Sequence, residues 1–412
     1  MLLDSLGLQA GVVVDCFAGS GVTGTAARGR GLGFAGIEAH PMMAELATLK
    51  VAPTASAEQV RALGAEIVAG LAGLMPNEGA LEAETDLVRR SFTGDVLSRL
   101  VALRTGVQER AGYPAAAYLK WALLATLRDV AAVKVGWPYQ RPGIARQARF
   151  SDPVRRFSSR VEMMAADLES ITTGRTEHYA DALSPSGPPS THERTTVTPA
   201  ALTAEVVVGD SRDANAWALL PSGAAACVAS PPYLNNFDYA DATRLELYFW
   251  GQVRTWADMC LHVRSDMVTA TTQQATVGEK ETSVAVLEGV QEDAAREVLK
   301  LVEQIEDARR ARGKRSKEYD RVAPAYFVAM RQILANLYAH LEPGASALWL
   351  VGDSAPYGVH VDTPRLLGEL ARGVGFSFDQ DVNLRVRGQR WAVNADRHKV
   401  GLSERLIVLT RP

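Results

Sequence analysis

Cysteine is scarce in this chain, and its cysteines do not form pairs. The 412 residues include three cysteines, at positions 16, 227 and 260, without a Cys-x-x-Cys spacing. This scarcity argues against a disulfide framework or a structural zinc site and favours a reducing cytoplasm. The seven histidines are equally dispersed, with no spacing typical of metal ligands. We therefore expect a cytoplasmic protein without a metal site.

Long apolar runs and a strong net charge are also missing. No segment is apolar over the length that a membrane span needs, and the sequence has no signal-peptide pattern, so we expect no membrane partner. The formal net charge is −3, so nucleic-acid contact would have to come from local patches. Because 47% of the residues are hydrophobic, we expect a substantial core in one large domain or two ordinary ones.

The most informative segment, residues 12–25, reads Val-Val-Val-Asp-Cys-Phe-Ala-Gly-Ser-Gly-Val-Thr-Gly-Thr. A β-branched run ends in the carboxylate of Asp15, a turn with Gly19 and Gly21 follows, and a helix begins near Val22. This order predicts a strand, a tight turn and a helix whose first amide groups point at a ligand. A lone glycine-rich turn is also common as a plain connection between a strand and a helix.

Further segments repeat the pattern of a strand that ends in a polar residue. Residues 35–38 predict a second strand ending at Glu38, at a distance from the glycines that suits an acid binding ribose hydroxyls. Residues 205–208 lead to Asp210, and the apolar residues 224–229 lead to a Ser-Pro-Pro-Tyr motif at 230–233. The C-terminal part predicts further elements: a helix over 324–341, a strand over 347–351, a helix over 364–373, and strands near 376–386 and 405–409.

These elements predict an α/β fold with a Rossmann-like core, a mostly parallel sheet and an antiparallel edge. Two mainly helical insertions interrupt the core. The first, residues 51–199, is a candidate for target recognition, and the second, residues 251–321, ends in basic residues. The core itself is discontinuous and comprises residues 1–50, 200–250 and 322–412.

Two basic patches are candidates for nucleic-acid contact. The patch in the first insertion interleaves arginines with aromatic residues, which suits phosphate contact together with base stacking. A run of charge is also common on an ordinary solvated face. The candidate contacts are Arg141, Arg146, Arg149, Arg155 and Arg156 in the first insertion, and Arg312, Lys314 and Arg315 at the end of the second.

Together these motifs resemble the S-adenosylmethionine-dependent methyltransferases that act on exocyclic amino groups, most closely the DNA N4-cytosine and N6-adenine enzymes. The resemblance covers residues 1–50 and 200–250, with a looser match at 322–412, and leaves out the helical insertions. The Ser-Pro-Pro-Tyr form of the catalytic motif is often seen with cytosine, whereas Asp-Pro-Pro-Tyr is commoner with adenine.

The resemblance implies a role for each motif. Glu38 would bind the ribose hydroxyls of the cofactor, and Asp210 would accept a hydrogen bond from its adenine amino group. Ser20 and Thr23 would bond the carboxylate of its methionine part, a placement that a helix N-terminus also favours. The turn that holds the methionine part comprises Asp15, Phe17, Ala18, Gly19, Ser20, Gly21 and Thr23.

The Ser-Pro-Pro-Tyr motif also has a chemical interpretation. An exocyclic amine is a poor nucleophile because its lone pair is conjugated into the ring, and two acceptors outside the ring plane would free that pair. Ser230 offers one oxygen, and the carbonyl of Pro231 is a rigid second acceptor. Pro232 keeps the turn stiff, and Tyr233 offers a face on which the base can stack. Further pocket candidates follow directly: Asn235, Phe237 and Tyr239.

We therefore predict methyl transfer from S-adenosylmethionine to cytosine N4, or to adenine N6, in double-stranded DNA whose target base is flipped out. The expected setting is bacterial restriction-modification or phage defence, with a nuclease or a specificity subunit as partner and association with the nucleoid during DNA binding. Two alternatives stay open: an RNA amino-methyltransferase, and a non-catalytic subunit that binds cofactor or DNA and needs a partner.

Overall fold

The computed structural model describes residues 2–135, 141–172, 203–234, 238–272, 277–313, 317–387 and 401–412. Within these ranges, seven strands form one sheet and two more form a separate hairpin. The strands are β1 (Val12–Asp15), β2 (Gly33–Glu38), β3 (Val133–Lys134), β4 (Arg141–Ala145), β5 (Ala204–Val208), β6 (Ala224–Ala229), β7 (Leu341–Gly352), β8 (Ser377–Arg387) and β9 (Leu402–Thr410).

The large sheet has the order β5-β2-β1-β6-β7-β9-β8. Its first five strands are parallel, whereas β9 pairs antiparallel with both β7 and β8. The chain builds outward from β1 to β2 and β5, then returns to place β6 on the other side of β1. The predicted α/β class, with a mostly parallel sheet, an antiparallel edge and helical insertions, is thus confirmed and fits a Rossmann-like core.

Helices cover both faces of the sheet, which explains why its central strands are continuous apolar runs. Val13 packs on one face with α1 and α2, and Val14 packs on the other face with α16 and α17. The helices that accompany the sheet are α1 (Leu2–Ser5), α2 (Val22–Arg28), α3 (Pro41–Val51), α10 (Ala214–Ala218), α14 (Val277–Glu288), α15 (Asp293–Arg312), α16 (Tyr319–His340) and α17 (Thr363–Val374).

The remaining helices build a second hydrophobic cluster. Its largest buried side chains include Phe157, Phe249 and Ile67. Residues that follow the Ser-Pro-Pro-Tyr motif, such as Leu245, belong to this cluster and join it to the sheet. Its helices are α4 (Ala57–Ala69), α5 (Glu78–Glu82), α6 (Asp86–Ser91), α7 (Gly94–Gln108), α8 (Pro114–Val130), α9 (Pro153–Thr172), α11 (Tyr239–Ala242), α12 (Arg244–Trp250) and α13 (Trp256–Met259).

Two predicted boundaries differ most from the observed ones. Helix α16 begins at Tyr319 and includes Pro324 in its interior, because buried Asp320 anchors the first turn through ion pairs with Lys280 at 2.8 Å and Arg309 at 2.7 Å. Strand β7 begins at Leu341 rather than 347 and therefore includes Pro343. Its pairing with β6 shifts register near this point, and such an irregularity is where a strand tolerates proline.

Among the described residues, none of the helices combines the length and the apolar character that crossing a membrane requires.

Candidate functional site

Two motifs about 200 residues apart in the chain meet where the strand order reverses. The glycine turn follows β1, the Ser-Pro-Pro-Tyr motif follows β6, and these strands are parallel neighbours with Val14 opposite Cys227. In open α/β sheets the crevice at such a reversal, at the carboxyl ends of the strands, is where ligands bind. The fold therefore puts both motifs on the two sides of one crevice.

The turn after β1 depends on its glycines. Gly19 has φ +53° and Gly21 has φ +78°, a left-handed conformation that glycine adopts without steric cost. A Cβ on Gly21 would lie 2.9 Å from the Cα of Ala47, so the turn packs tightly on α3. A Cβ on Gly19 would meet only the carbonyl oxygen of Phe17, at 3.8 Å. The backbone at Gly19 therefore has free space beside it that a ligand could enter, whereas the backbone at Gly21 is packed against α3.

Glu38 joins this turn to the end of β2. Its Oε2 accepts a hydrogen bond from the Gly19 amide at 2.7 Å, and its Oε1 accepts one from the His40 amide at 2.8 Å. Burial, together with a smaller effect from the nearby charge of Asp15, raises the pKa of Glu38 to about 7 against these two bonds. Each carboxylate oxygen keeps a second acceptor position, so Glu38 can hold the turn and bind a hydroxyl at the same time.

Asp15 is the second buried acid of the crevice. Only 3% of its surface is exposed, and its Oδ1 accepts from the Phe17 amide at 2.9 Å. Burial raises the pKa of Asp15 to about 6, and bonds from Thr23 and from the Phe17 amide partly oppose this rise. Asp15 and Thr23 thus stabilise the turn from inside, while Ser20 lies half-buried beside them.

Phe17 and Ala18 link the turn to the sheet. The Ala18 amide donates to the carbonyl of Ile37 at 3.0 Å, and Ala18 is buried. The Phe17 ring meets the buried Trp349 of β7 edge to face, with 6.0 Å between centroids. All the predicted cofactor-binding residues of the turn therefore belong to one connected local structure at the start of α2.

Asp210 is in an ion pair that the sequence did not reveal. Its carboxylate accepts from the backbone amide of Arg212 at 2.8 Å, and the Arg212 guanidinium binds Oδ2 at 2.7 Å. Side-chain pairing of residues two apart leaves no periodic signal in a sequence. Asp210 could accept from a ligand amine only through an acceptor position that it does not use for Arg212.

Ser230 and Pro231 form the edge of the crevice after β6. Ser230 is exposed, and its hydroxyl donates to the Leu350 carbonyl at 3.3 Å. A hydroxyl that donates in this way still has lone pairs with which its oxygen can accept. Pro231 is buried. The motif therefore presents an exposed acceptor oxygen at the carboxyl edge of the sheet.

Pro232 and Tyr233 are fixed by partners from distant elements. The hydroxyl of Tyr326 on α16 donates to the Pro232 carbonyl at 2.9 Å. The hydroxyl of Tyr233 donates to Oε1 of Glu404 on β9 at 2.6 Å, and Glu404 in turn pairs with Arg385 on β8. Tyr233 is 9% exposed, so only a small part of its surface is available to a stacked base.

The chain after the motif enters α11. Asp238 caps this helix by accepting from the Asp241 amide at 3.1 Å, and it forms a buried ion pair with Arg264. Tyr239 begins the helix and is half-buried. The predicted pocket residues Asn235 and Phe237 lie outside the described residues.

His40 connects the cofactor side of the crevice to this segment. Its Nε2 lies 2.6 Å from the Thr243 Oγ1, and its backbone amide is the donor to Glu38. Burial lowers the pKa of His40 to about 4, so the imidazole is neutral at physiological pH. Sequence reasoning missed His40 because a single histidine after a strand has no motif of its own.

Two of the five predicted arginines of the first patch, Arg146 and Arg156, are bound internally, as is the neighbouring Arg160. Arg156 pairs with Asp129 at 2.8 Å, Arg160 pairs with the same carboxylate at 2.6 Å, and Arg146 donates to the carbonyls of Ala131 and Arg128. These groups surround the C-terminal end of α8, where exposed carbonyls attract cations. These internally bound arginines therefore hold α8, β4 and α9 together.

The other predicted contacts are more exposed. Arg141 and Arg155 are exposed, and Arg149 is 74% exposed at 3.8 Å from Asp129. Arg312 stacks on the Tyr357 ring with 5.1 Å from Cζ to the ring centroid. Lys314 and Arg315 lie outside the described residues.

Across the described ranges, no cluster of three or more His, Cys, Asp or Glu side chains could hold a metal ion. Comparisons of the chain with family models, with curated proteins and with solved structures found no match.

Proposed function

We propose that the protein is an S-adenosylmethionine-dependent methyltransferase that modifies an exocyclic amino group of DNA, with cytosine N4 favoured over adenine N6. The observation that carries the proposal is the meeting of the glycine turn after β1 and the Ser-Pro-Pro-Tyr motif after β6 at the reversal of strand order. One side has acids and open backbone suited to a nucleoside, and the other has acceptors suited to an amine.

The residues on the first side fit this cofactor. Gly19 leaves room for close approach, and Glu38 retains acceptor positions for ribose hydroxyls. Asp210 would accept from the adenine amino group beside its Arg212 partner, and Ser20 and Thr23 would bind the methionine carboxylate. When bound, the cofactor supplies an electrophilic methyl group.

The residues on the second side would prepare the nucleophile. Ser230 accepts from one hydrogen of the amine, and the carbonyl of Pro231 accepts from the other. With both acceptors off the plane of the base, the nitrogen would turn toward a tetrahedral form and free its lone pair, and the amine would release one proton to solvent as it takes up the methyl group. Holding this nitrogen in line with the methyl group supplies much of the rate by proximity.

The target base has to leave its duplex to reach such a crevice. Tyr233, Tyr239, Asn235 and Phe237 are the residues proposed to contact the extruded base. The exposed Arg149 and Arg155 are the strongest candidates for phosphate contact in the first patch, because their guanidinium groups face solvent. A nuclease or specificity subunit would be a further partner.

A Ser230→Ala variant tests the role of the second side. We expect kcat for methyl transfer to fall about a hundredfold, as for loss of one preorganised hydrogen-bonding group, while calorimetric affinity for S-adenosylmethionine stays unchanged. Ser222→Ala, at an exposed serine just before β6, is the matched control and should keep full activity. Equal turnover of the two variants would remove Ser230 from the mechanism.

The first side is tested by Glu38→Ala and Asp15→Ala. Both should weaken the binding of S-adenosylmethionine, Glu38→Ala by about tenfold or more because it removes a charged acceptor. Unchanged affinity in both variants would place the cofactor elsewhere.

A further inference from the structure

The backbone of the Ser-Pro-Pro-Tyr motif is restricted at its two prolines and less restricted at the torsion that follows them. A proline ring fixes its own φ, and a residue that precedes proline is confined to extended ψ values. Pro231 meets both conditions, so the two prolines form one stiff unit in which the Pro231 carbonyl keeps a nearly fixed direction relative to Pro232. Pro232 precedes Tyr233, so the ψ of Pro232 is the first torsion after this unit that the sequence leaves free.

The structure restrains the motif at that torsion. The Tyr326 hydroxyl donates to the Pro232 carbonyl at 2.9 Å, and a carbonyl held in place fixes the ψ of its residue. Tyr326 is completely buried on α16, where its ring meets Phe327 edge to face at 5.4 Å. Burial and the nearby hydroxyls of Tyr233 and Tyr239 raise its pKa far above the usual range, so its hydroxyl keeps its proton.

The next residue is restrained independently. Tyr233 donates to the buried carboxylate of Glu404 at 2.6 Å, and the Arg385 guanidinium pairs with the other oxygen of that carboxylate. The motif is thus held between α16 on one side and the β8–β9 pair on the other. Both restraints hold the C-terminal end of the stiff proline unit, and holding that end fixes the orientation of the Pro231 carbonyl and of the adjoining Ser230 relative to the fold.

We propose that Tyr326 is a positioning residue of the methyl-transfer site, whose hydroxyl fixes the Pro232 peptide and thereby aims the Ser230 and Pro231 acceptors at the target amine. This inference rests on the proposed function. Tyr326 contacts no reacting atom in this scheme. Its loss therefore affects the chemical step through geometry, and a small misplacement of reacting groups can cost up to about a hundredfold in rate.

Tyr326→Phe removes the hydroxyl and keeps the ring. We expect kcat to fall about 10- to 100-fold, while the affinity for S-adenosylmethionine and its KM stay within about twofold, since the cofactor residues lie on other strands. The matched control is Tyr338→Phe, which makes the same change on the same helix at a half-buried ring packed on Phe376 at 5.1 Å. The control should keep the wild-type kcat.

Hydrogen exchange without substrate provides a second measurement that does not depend on activity. Prolines have no amide hydrogen, and the first two residues of a proteolytic peptide retain no label, so a peptide over residues 228–234 reports on Ser230, Tyr233 and Leu234. We expect exchange in this peptide to become about fivefold faster in Tyr326→Phe, as for loss of one hydrogen bond, and to stay unchanged in Tyr338→Phe.

The outcomes separate two failures. Unchanged exchange in Tyr326→Phe would overturn the positioning role even if the wild-type protein methylates DNA. Faster exchange with an unchanged kcat would show that the restrained peptide does not matter for the chemistry. A wild-type protein that binds the cofactor but transfers no methyl group to any nucleic acid would instead overturn the proposed function, and the positioning role with it.

Discussion

Two charged regions of this molecule use their charges in opposite ways. At the carboxyl edge of the sheet, the buried Asp15 and the half-buried Glu38 accept hydrogen bonds from backbone amides or a hydroxyl, and loss of hydration raises the pKa of both. In the first insertion, Arg156 of the arginine patch and the neighbouring Arg160 share the carboxylate of Asp129. Among the described residues neither acid has a basic partner in direct contact, whereas these arginines have an acidic one.

This comparison distinguishes charged groups that are available to a ligand from charged groups that stabilise the fold. Burial raises the pKa of the Asp129 carboxyl, but the bonds from Arg160 and Arg156 outweigh it and lower the pKa overall. A charged group that is paired within the fold has its interactions satisfied. A carboxylate without a basic partner has a raised pKa, and a ligand that donates hydrogen bonds to it can stabilise its charged form. The sheet edge is therefore the better candidate for binding, whereas the arginines paired with Asp129 are structural.

The largest effect is expected at Asp129. Asp129→Ala leaves Arg156 and Arg160, which are 16% and 25% exposed, without their carboxylate, and we expect the free energy of unfolding to fall by about 4 kcal/mol. Urea denaturation measures this. Asp307→Ala, at a 79% exposed residue on α15, is the control and should change stability by less than about 0.5 kcal/mol. Equal stability of both variants would mean that the arginines paired with Asp129 are not structural.

The next effect is a pH dependence from Glu38. Its pKa is about 7 in the folded protein against 4.5 as its ordinary value, so between these pH values the unfolded chain loses a proton that the folded protein keeps. Stability from this group is therefore complete below pH 4.5 and is lost as the pH rises through 7. The contribution of Glu38 to the free energy of unfolding should fall by about 3 kcal/mol over that range.

Glu38→Gln isolates this contribution, because glutamine does not titrate. We expect the difference in unfolding free energy between the wild type and Glu38→Gln to change by about 3 kcal/mol from pH 4.5 to pH 7, measured by urea denaturation at several pH values. A difference that stays constant with pH would show that the pKa of Glu38 is not raised in the folded protein.

The smallest effect concerns the exposed arginines of the patch. Arg149→Ala and Arg155→Ala should each reduce the slope of log affinity for duplex DNA against log salt by about 1, because each removes one phosphate contact. Arg90→Ala, at a 64% exposed arginine on α6 paired with Asp86, should leave the slope unchanged. Identical slopes in all three variants would exclude this face from the DNA-binding surface.

Much of the architecture was predictable from sequence because the strands are distinct apolar runs between turn residues. The prediction for 224–229 coincides with β6, and those for 364–373 and 405–409 fall within α17 and β9. Parallel strands buried on both faces carry this signal directly. The start of α16 was not predictable, because Pro324 resembles a helix start and the ion pairs of Asp320 that extend the helix involve distant residues.

The candidate site was predictable at the level of motifs but not of partners. The turn after β1, Glu38 and the Ser-Pro-Pro-Tyr motif were found as strand-end residues, and their meeting at one crevice follows from the strand order. The pairing of Tyr233 with Glu404 spans 171 residues, and that of Arg128 with Glu246 spans 118. Contacts at such separations have no local pattern, so only the fold reveals them.

The most direct test of the central claim is to incubate the protein with S-adenosylmethionine carrying a labelled methyl group and unmethylated genomic DNA, followed by mass analysis of the nucleosides. We predict labelled N4-methylcytosine, and labelled N6-methyladenine would keep the mechanism but reverse the predicted base. The absence of labelled nucleoside from DNA, with cofactor binding intact, would contradict the account.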